Sequence, residues 1–231
     1  MKVFWKIKAL AAGEAEILLY EFIGEDFFGK GMSAKRFAED LKSLGELNKI
    51  IVRINSPGGD VFDGVAIYNT LLNHKAKVNT FIDGLAASIA SVIALAGDAV
   101  TIADNAMFMM HNPWTIAIGD AREMEKVAET LDKIRESLVV TYSKRSGKDA
   151  KAIIKLLDAE TWLTGQEAVD EGFADKVSEA KAVAANFKMV AKYKHAPAAL
   201  LEEKPEPAPI DESFNGLDGL RMRLDLLQQT F

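Results

Sequence analysis

Apolar residues recur with two different spacings along the first 178 residues. Alternating or β-branched runs predict strands, and apolar positions three and four residues apart predict helices. The expected strands cover residues 3–9, 16–23, 50–55, 77–82, 99–103, 106–110 and 173–177. The expected helices cover residues 33–47, 61–73, 87–96, 120–143, 149–157 and 165–171. Strands that alternate with helices predict an α/β domain with a mostly parallel sheet.

The helix boundaries carry recognisable capping signals. Ser33 precedes the first expected helix, and residues 164–167 form a capping box before the last one. The longest helix begins after Asp120 and keeps an apolar stripe at helical spacing along one side. That stripe consists of Met124, Val127, Leu131, Ile134, Leu138 and Tyr142. A helix that is apolar along one side only can pack on its own sheet.

Proline placement separates the rest of the chain from this domain. Four of the six prolines fall between Pro197 and Pro209, among several glutamates. We therefore expect one domain over residues 1–178 and a linker or extension over 179–210. Residues 211–231 place leucines three and four apart, which predicts a short amphipathic helix. That helix either folds back on the domain or binds a partner.

Composition narrows the function classes. The chain has no cysteine, which excludes a thiol nucleophile and every cysteine-based zinc site. A net charge of −6 argues against nucleic acid or an anionic membrane as the partner. The longest apolar stretch, residues 84–96, is too short to cross a bilayer, and no signal-peptide pattern opens the chain. We expect a cytoplasmic protein that needs neither metal nor cofactor.

The first candidate motif is the turn Asn-Ser-Pro-Gly-Gly-Asp at residues 55–60. It follows a β-branched strand and precedes a helix, so it lies where open α/β sheets place ligands. Gly58 and Gly59 permit positive φ and bring bare backbone N–H groups to the surface. On its own, this motif also fits an ordinary strand-to-helix turn.

The second motif runs from Asp83 to Ser91, where another strand gives way to an alanine-rich helix. Ser88 is expected in the first turn of that helix, where free N–H groups suit a developing negative charge. Ser91 lies one turn further on and is the less exposed choice. A serine among alanines also commonly serves close packing alone.

The third motif is an apolar strand that ends at His111 and is stopped by Pro113. A histidine on a loop at a strand end can serve as a general base near neutral pH. The other histidines are His74, in a helix-end turn, and His195, at the edge of the proline-rich segment. His111 is therefore the base expected of a serine hydrolase.

In this order, the three motifs resemble the signatures of the ClpP peptidases, over roughly residues 16–178. The resemblance is nearest to the ClpP-related head-maturation (prohead) proteases of tailed phages and prophages. It implies the ClpP/crotonase-like α/β fold, with a long protruding helix and a C-terminal tail. It also implies a serine endopeptidase.

Carried over residue by residue, the resemblance implies Ser88 as nucleophile and His111 as base. The N–H groups of Gly59 and Ile89 would form the oxyanion hole. The family's third triad member is usually an aspartate, but alignment through Trp162 places Glu160 at that position, with Asp158 in reserve. A glutamate can orient a histidine as an aspartate does.

The resemblance also implies partners and leaves competing functions open. It implies a polypeptide substrate and a homo-oligomeric ring, in the form of a heptamer or a stacked double ring. Capsid or scaffold proteins would be cleaved in the host cytoplasm or the prohead. The alternatives are a ClpP-type subunit that works with an ATPase unfoldase, a crotonase-fold acyl-CoA enzyme or Ser-Lys peptidase relative, and an inactive scaffold.

Overall fold

The computed structural model describes residues 5–10, 13–25, 31–180 and 193–197, all within one compact unit, Met1–Leu201. The strands are β1 (Trp5–Ala9), β2 (Glu14–Leu19), β3 (Gly24–Glu25), β4 (Gly31–Met32), β5 (Lys49–Ser56), β6 (Lys77–Ala87), β7 (Ala99–Ala103), β8 (Met107–Met110), β9 (Thr161–Thr164) and β10 (Lys176–Ser178). The helices are α1 (Ala34–Ser43), α2 (Val61–Leu72), α3 (Ile89–Ala94), α4 (Ala121–Ser146), α5 (Ala150–Asp158) and α6 (Gly165–Asp170). The expected helix over residues 211–231 lies outside the described residues.

One large sheet organises the domain, in the order β1-β2-β5-β6-β7-β10. β1 is antiparallel to β2, whereas β2, β5, β6, β7 and β10 all run parallel to one another. Helices connect the parallel strands, as parallel pairing requires. The prediction of an α/β domain with a mostly parallel sheet is confirmed.

Strand β6 changes neighbours along its length. Residues 79–82 pair with β7, whereas residues 85–87 pair with β8. β8 in turn pairs antiparallel with β9. Because β5, β6 and β8 are parallel, their carboxyl ends lie at one edge of the sheet. The three sequence motifs follow these ends.

Side-chain caps start several helices where the sequence predicted them. The predicted capping box at Thr164 is formed, and the long helix, which was expected to begin after Asp120, begins there with a capping box of its own. Ser33 makes no side-chain cap. Instead, the N–H of Ala34 donates to the carboxylate of Asp63 at 2.7 Å, so a residue of α2 caps the first turn of α1.

The long helix α4 is buried only toward its end. Leu138, Val139 and Tyr142 are buried, whereas the earlier stripe residues are half-exposed. The stripe therefore packs on the domain over its last two turns. Its first part contributes to an open cleft beside Trp114, which is 54% exposed.

Two element boundaries and the existence of one strand near the site differ from the sequence predictions for local reasons. The helix expected from residue 87 begins at Ile89, because β6 continues to Ala87. The strand expected from residue 173 begins at Lys176, because the N–H groups of Phe173 and Ala174 donate back to the carbonyl of Ala168. Strand β9 was not predicted, and its four residues are held by pairing with β8.

Within the residues that the structure describes, no helix is both long and apolar enough to cross a membrane.

Candidate active site

The second and third motifs meet where β6 and β8 end. Ala87 lies opposite Met109 in the ladder, and the N–H of Ser88 donates to the carbonyl of Met109 at 3.0 Å. The residue directly after the end of each strand, Ser88 after β6 and His111 after β8, is one of the candidate site residues. The imidazole Nε2 of His111 consequently lies 2.8 Å from the Oγ of Ser88.

Ser88 occupies a strained turn between a strand and a helix. It is the N-cap of α3, with φ 53° and ψ −129°. A positive φ is unfavourable for a residue with a side chain and persists where the surrounding structure enforces it. The sharp turn directs the hydroxyl out of the sheet edge rather than into the core, as nucleophile turns in α/β enzymes do.

Ser91, the alternative serine, has a structural role. It is fully buried, and its hydroxyl donates to the carbonyl of Ser88 at 2.6 Å. Its oxygen also lies 2.7 Å from the hydroxyl oxygen of Tyr142. These contacts tie α3 to α4 and leave Ser88 as the serine that faces the cleft.

The environment of His111 favours the neutral imidazole. Burial lowers the pKa of His111 below its usual value, while the negative charge of Glu160 acts in the opposite direction. A neutral ring has one nitrogen free to accept a proton. The ring that faces Ser88 is therefore suited to general-base chemistry at neutral pH.

The glycine turn approaches the Ser88 backbone closely. Gly58 has φ 92°, and a Cβ there would lie 2.7 Å from the carbonyl oxygen of Ala87 and 2.7 Å from the Cβ of Ser88. The same Cβ would lie 3.3 Å from the backbone nitrogen of Ile89. Only glycine allows the turn and the nucleophile loop to pack this tightly.

The amides expected to form an oxyanion hole lie on either side of this contact. Gly59, with φ 156°, is held by Ile23, which donates to the carbonyl of Gly58 at 2.9 Å and accepts from the N–H of Asp60 at 2.8 Å. Neither the Gly59 N–H nor the Ile89 N–H donates a backbone hydrogen bond within the described part of the chain. Both amides are thus available to a ligand.

Neither acidic candidate is hydrogen-bonded to His111. Glu160 has φ 47°, and its carboxylate accepts from the N–H groups of His195 at 2.6 Å and Lys194 at 3.0 Å. Burial raises the pKa of Glu160, but these two hydrogen bonds, one from Trp162 and the charge of His111 bring it below its usual value. Glu160 thus acts on His111 through its charge.

Asp158, the reserve candidate, faces other groups. Its carboxylate accepts from the side-chain amide of Asn112 at 2.8 Å and pairs with Arg135 at 3.7 Å. It therefore contacts the residue after His111 rather than the imidazole. Of the two carboxylates, only Glu160 contributes to the electrostatic environment of the ring.

Tyr193 is a site residue that sequence reasoning missed. Its ring lies edge-on to His111, with centroids 5.1 Å apart, and to Trp162, with centroids 5.8 Å apart. Its hydroxyl donates to the carbonyl of Pro57. An aromatic residue just before a proline-rich segment is the only signal in the sequence, and it does not indicate what the ring contacts.

These groups line a cleft of about 200 Å³. Its walls combine the two candidate reactive residues, Ser88 and His111, with Gly59 of the glycine turn and with the aromatic rings of Phe22, Trp114 and Tyr193. A hydroxyl, an imidazole and a glycine turn in one cleft, with the Ile89 amide directly after Ser88, are the kinds of group that acyl transfer uses.

Comparison with known proteins places this geometry in a family. The family model described as Clp protease matches residues 14–181. This chain belongs to the Clp protease family. One similar protein is "ATP-dependent Clp protease proteolytic subunit 1" of Protochlamydia amoebophila (strain UWE25), 36% identical over 132 residues, or 55% of this chain and 64% of that protein.

Another similar protein is the "ATP-dependent Clp protease proteolytic subunit" of Ligilactobacillus salivarius (strain UCC118). It is 37% identical over 134 residues, which is 57% of this chain and 68% of that protein. The chain thus spans about two thirds of the length of these relatives. The match to the Clp protease family ends at residue 181, so Tyr193 and its neighbours lie beyond it.

Proposed function

We propose that the chain is a serine endopeptidase that hydrolyses polypeptides by acyl transfer. The observation that carries this proposal is the 2.8 Å contact between Ser88 Oγ and His111 Nε2 in a member of the Clp protease family. The sequence resemblance assigned the same two roles. A crotonase-type acyl-CoA enzyme has no need of this serine–histidine pair.

In the acylation step, His111 accepts the proton of Ser88 as the serine oxygen attacks the peptide carbonyl carbon. The carbonyl π bond opens, and its oxygen becomes an oxyanion. His111 then donates that proton to the leaving amine as the C–N bond breaks, which leaves an acyl ester on Ser88. Water deprotonated by His111 hydrolyses the ester, and the proton returns to Ser88.

The N–H groups of Gly59 and Ile89 stabilise the oxyanion in this mechanism. Ile89 directly follows Ser88, and Gly59 lines the same cleft as Ser88. The residues on either side of Gly59 are hydrogen-bonded to Ile23, so its amide needs little reorganisation as charge develops. Removing one such donor typically slows the reaction by about 10²–10³-fold. The Gly-Gly turn is therefore as important to the proposed reaction as the side chains.

Glu160 is proposed as the acidic member of the triad. Its negative charge favours the imidazolium form that appears during acylation. In the described arrangement the effect acts through space rather than through a hydrogen bond. We expect its removal to cost less than the loss of Ser88 or His111.

For the biological role, we propose cleavage of capsid or scaffold proteins during phage head maturation, in the host cytoplasm or the prohead. The support is the resemblance of the three motifs to the prohead proteases. A homo-oligomeric ring, a heptamer or a stacked double ring, is proposed from the same resemblance.

The second candidate role is that of a proteolytic subunit that works with an ATPase unfoldase. The names of both similar proteins, which are called ATP-dependent, favour it. The two roles use the same site but differ in how the substrate is delivered.

The test is hydrolysis of a fluorogenic peptide and of a capsid or scaffold protein by the purified full chain. Wild type should cleave both without ATP, and Ser88→Ala and His111→Ala should cleave neither. Cleavage of the protein substrate only with an unfoldase and ATP would favour the second role. Peptide cleavage that persists in Ser88→Ala would contradict both proposed roles. Light scattering on the same samples measures the mass of the oligomer and so tests the ring.

A further inference from the structure

A short segment beyond the family match lies directly on the proposed site. Residues 193–197 begin more than ten residues after the end of the family match at residue 181, yet two of them pack on apolar residues near Ser88. Tyr193 and Ala196 contact a small buried cluster formed by Leu85, Ala87 and Met109. These five residues are called the 193–197 segment below.

The first set of contacts involves Tyr193 and the reacting groups. Its ring edge faces His111, and its hydroxyl donates to the carbonyl of Pro57, immediately before the glycine turn. Burial raises the pKa of Tyr193 to about 12, with the Ser88 hydroxyl acting in the opposite direction. The phenol thus lies against Ser88 and His111 and forms one wall of their cleft.

The second set of contacts occupies the carboxylate of Glu160. The N–H of His195 donates to one oxygen at 2.6 Å, and the N–H of Lys194 donates to the other at 3.0 Å. The imidazole Nδ1 of His195 lies 3.1 Å from the carbonyl of Ala159. Both oxygens of the proposed triad acid are therefore bonded to the segment, and none of these bonds reaches His111.

These contacts oppose the proposed reaction in two ways. A polypeptide must bring a carbonyl carbon to Ser88, through the cleft that the Tyr193 ring borders. A triad acid orients the base by a hydrogen bond to its second nitrogen, and Glu160 directs its oxygens to the 193–197 segment instead. Both effects disappear together if the segment leaves.

We propose that the 193–197 segment is an autoinhibitory strap that covers the Ser88–His111 site and holds Glu160 away from His111. This inference rests on the proposed peptidase function. A polypeptide substrate gains access by displacing the strap, which frees the cleft wall and the Glu160 carboxylate in one movement.

The size of the effect follows from population arithmetic. If the site reacts only when the strap is displaced, the observed rate equals the rate of the uncovered site multiplied by the fraction of molecules in which the strap is displaced. The strap is held by a few hydrogen bonds at partly exposed groups and by two small apolar contacts, so it is weaker than the core. We expect its disruption to accelerate the reaction by about tenfold or more.

The experiment measures the rate at which a small fluorophosphonate labels Ser88 in the full chain. Tyr193→Ala removes the ring, and Lys194→Pro removes one N–H that bonds Glu160. The matched control is Lys194→Ala, which keeps that N–H, and a second control is Tyr68→Phe on α2. The first two variants should label about tenfold faster than wild type, and the two controls should match wild type.

Hydrogen exchange on wild type provides a measurement that needs no substitution. After labelling with a fluorophosphonate that carries a short peptide, the amides of Lys194 and His195 should exchange faster, because the strap has been displaced. The strap proposal would be overturned if these amides exchanged at the same rate in the labelled and unlabelled protein. It would also be overturned if the Tyr193→Ala variant folded but was labelled no faster than wild type. In both cases labelling of Ser88 would leave the peptidase proposal standing, whereas a failure of every variant to label would overturn the peptidase proposal itself.

Discussion

Ser88 and His111 are 23 residues apart in sequence, and their side chains are joined at 2.8 Å because each follows the end of one of two paired parallel strands. The ladder between β6 and β8 sets their separation, and the N–H of Ser88 bonds the strand that carries His111. The geometry of the proposed nucleophile and base is thus a property of the sheet. Changes to the turns around it should therefore affect the chemistry more than changes to distant loops.

Gly58→Ala tests the close approach of the glycine turn. The new Cβ would lie 2.7 Å from backbone and side-chain atoms at Ala87 and Ser88, so the turn must move. We expect labelling of Ser88 to fall by about 10²-fold, because the oxyanion donors are displaced. The matched control is Gly45→Ala, which has a similar positive φ of 73° but nothing within 4 Å.

Gly45→Ala should cost about 1 kcal/mol of unfolding free energy from the unfavourable φ and leave the labelling rate unchanged. Equal labelling rates for the two glycine variants would contradict the role of the Gly58 contact. The measurements are the labelling rate and a urea titration.

The pH dependence of labelling tests the environment of His111. Burial holds the pKa of His111 below 6.5, and the charge of Glu160 raises it. Since only the neutral imidazole accepts the proton of Ser88, the rate should rise with pH through a midpoint below 6.5 and then level off. Glu160→Gln removes the charge that favours the imidazolium, so the midpoint should move to lower pH.

The readout is the midpoint of the rate profile between about pH 4 and about pH 8, rather than the plateau rate, which the strap also affects. Full-length wild type and Glu160→Gln are compared in the same buffers. A midpoint that moves upward in Glu160→Gln would show that the carboxylate does not act on His111 as described.

Ser91→Ala tests whether Ser91 only stabilises the structure, in contrast to the proposed nucleophile Ser88. The variant loses the 2.6 Å bond to the carbonyl of Ser88 and the 2.7 Å contact with Tyr142. We expect a loss of about 1–2 kcal/mol in the unfolding free energy, since the buried hydroxyl of Tyr142 loses its partner. Labelling should persist within a few-fold, and its complete loss would indicate that Ser91 takes part in the chemistry.

A buried ion pair at the amino-terminal side of the second motif contributes to stability. Asp83, 7% exposed, pairs with Arg53 and accepts from the hydroxyl of Tyr20 at 2.6 Å. Asp83→Asn should reduce the unfolding free energy by about 3 kcal/mol, because the guanidinium is left without its charge partner. Tyr20→Phe, which removes only one hydrogen bond, should cost about 1 kcal/mol.

Both variants are compared by thermal and urea unfolding. The prediction is contradicted if Tyr20→Phe destabilises the protein as much as Asp83→Asn does.

The sequence predicts the central part of the site because strand ends and glycine turns leave local patterns. The β-branched run before Pro57 and the apolar run before His111 both predict strands, and parallel strands bring their ends to one edge. The pairing of Ser88 with His111 then follows from topology alone. The exact start of α3 cannot be predicted in this way, because β6 continues to Ala87 only through its pairing with β8.

The surroundings of Glu160 could not be predicted from the sequence. Its strongest partners are the backbone N–H groups of Lys194 and His195, and a backbone amide leaves no residue pattern. Strand β9 was missed for a related reason, since four residues are too few to show a period and only the ladder with β8 identifies them. Sequence reasoning therefore found the groups expected to react but missed the 193–197 segment that contacts His111 and Glu160.

The most direct measurement of the central claim is the site at which a fluorophosphonate becomes attached, determined by peptide mass spectrometry on wild type, His111→Ala and Ser88→Ala. The account predicts one labelled residue, Ser88, with labelling slowed by at least about 10²-fold in His111→Ala and absent in Ser88→Ala. Attachment at another residue, or labelling of Ser88 that does not depend on His111, would contradict it.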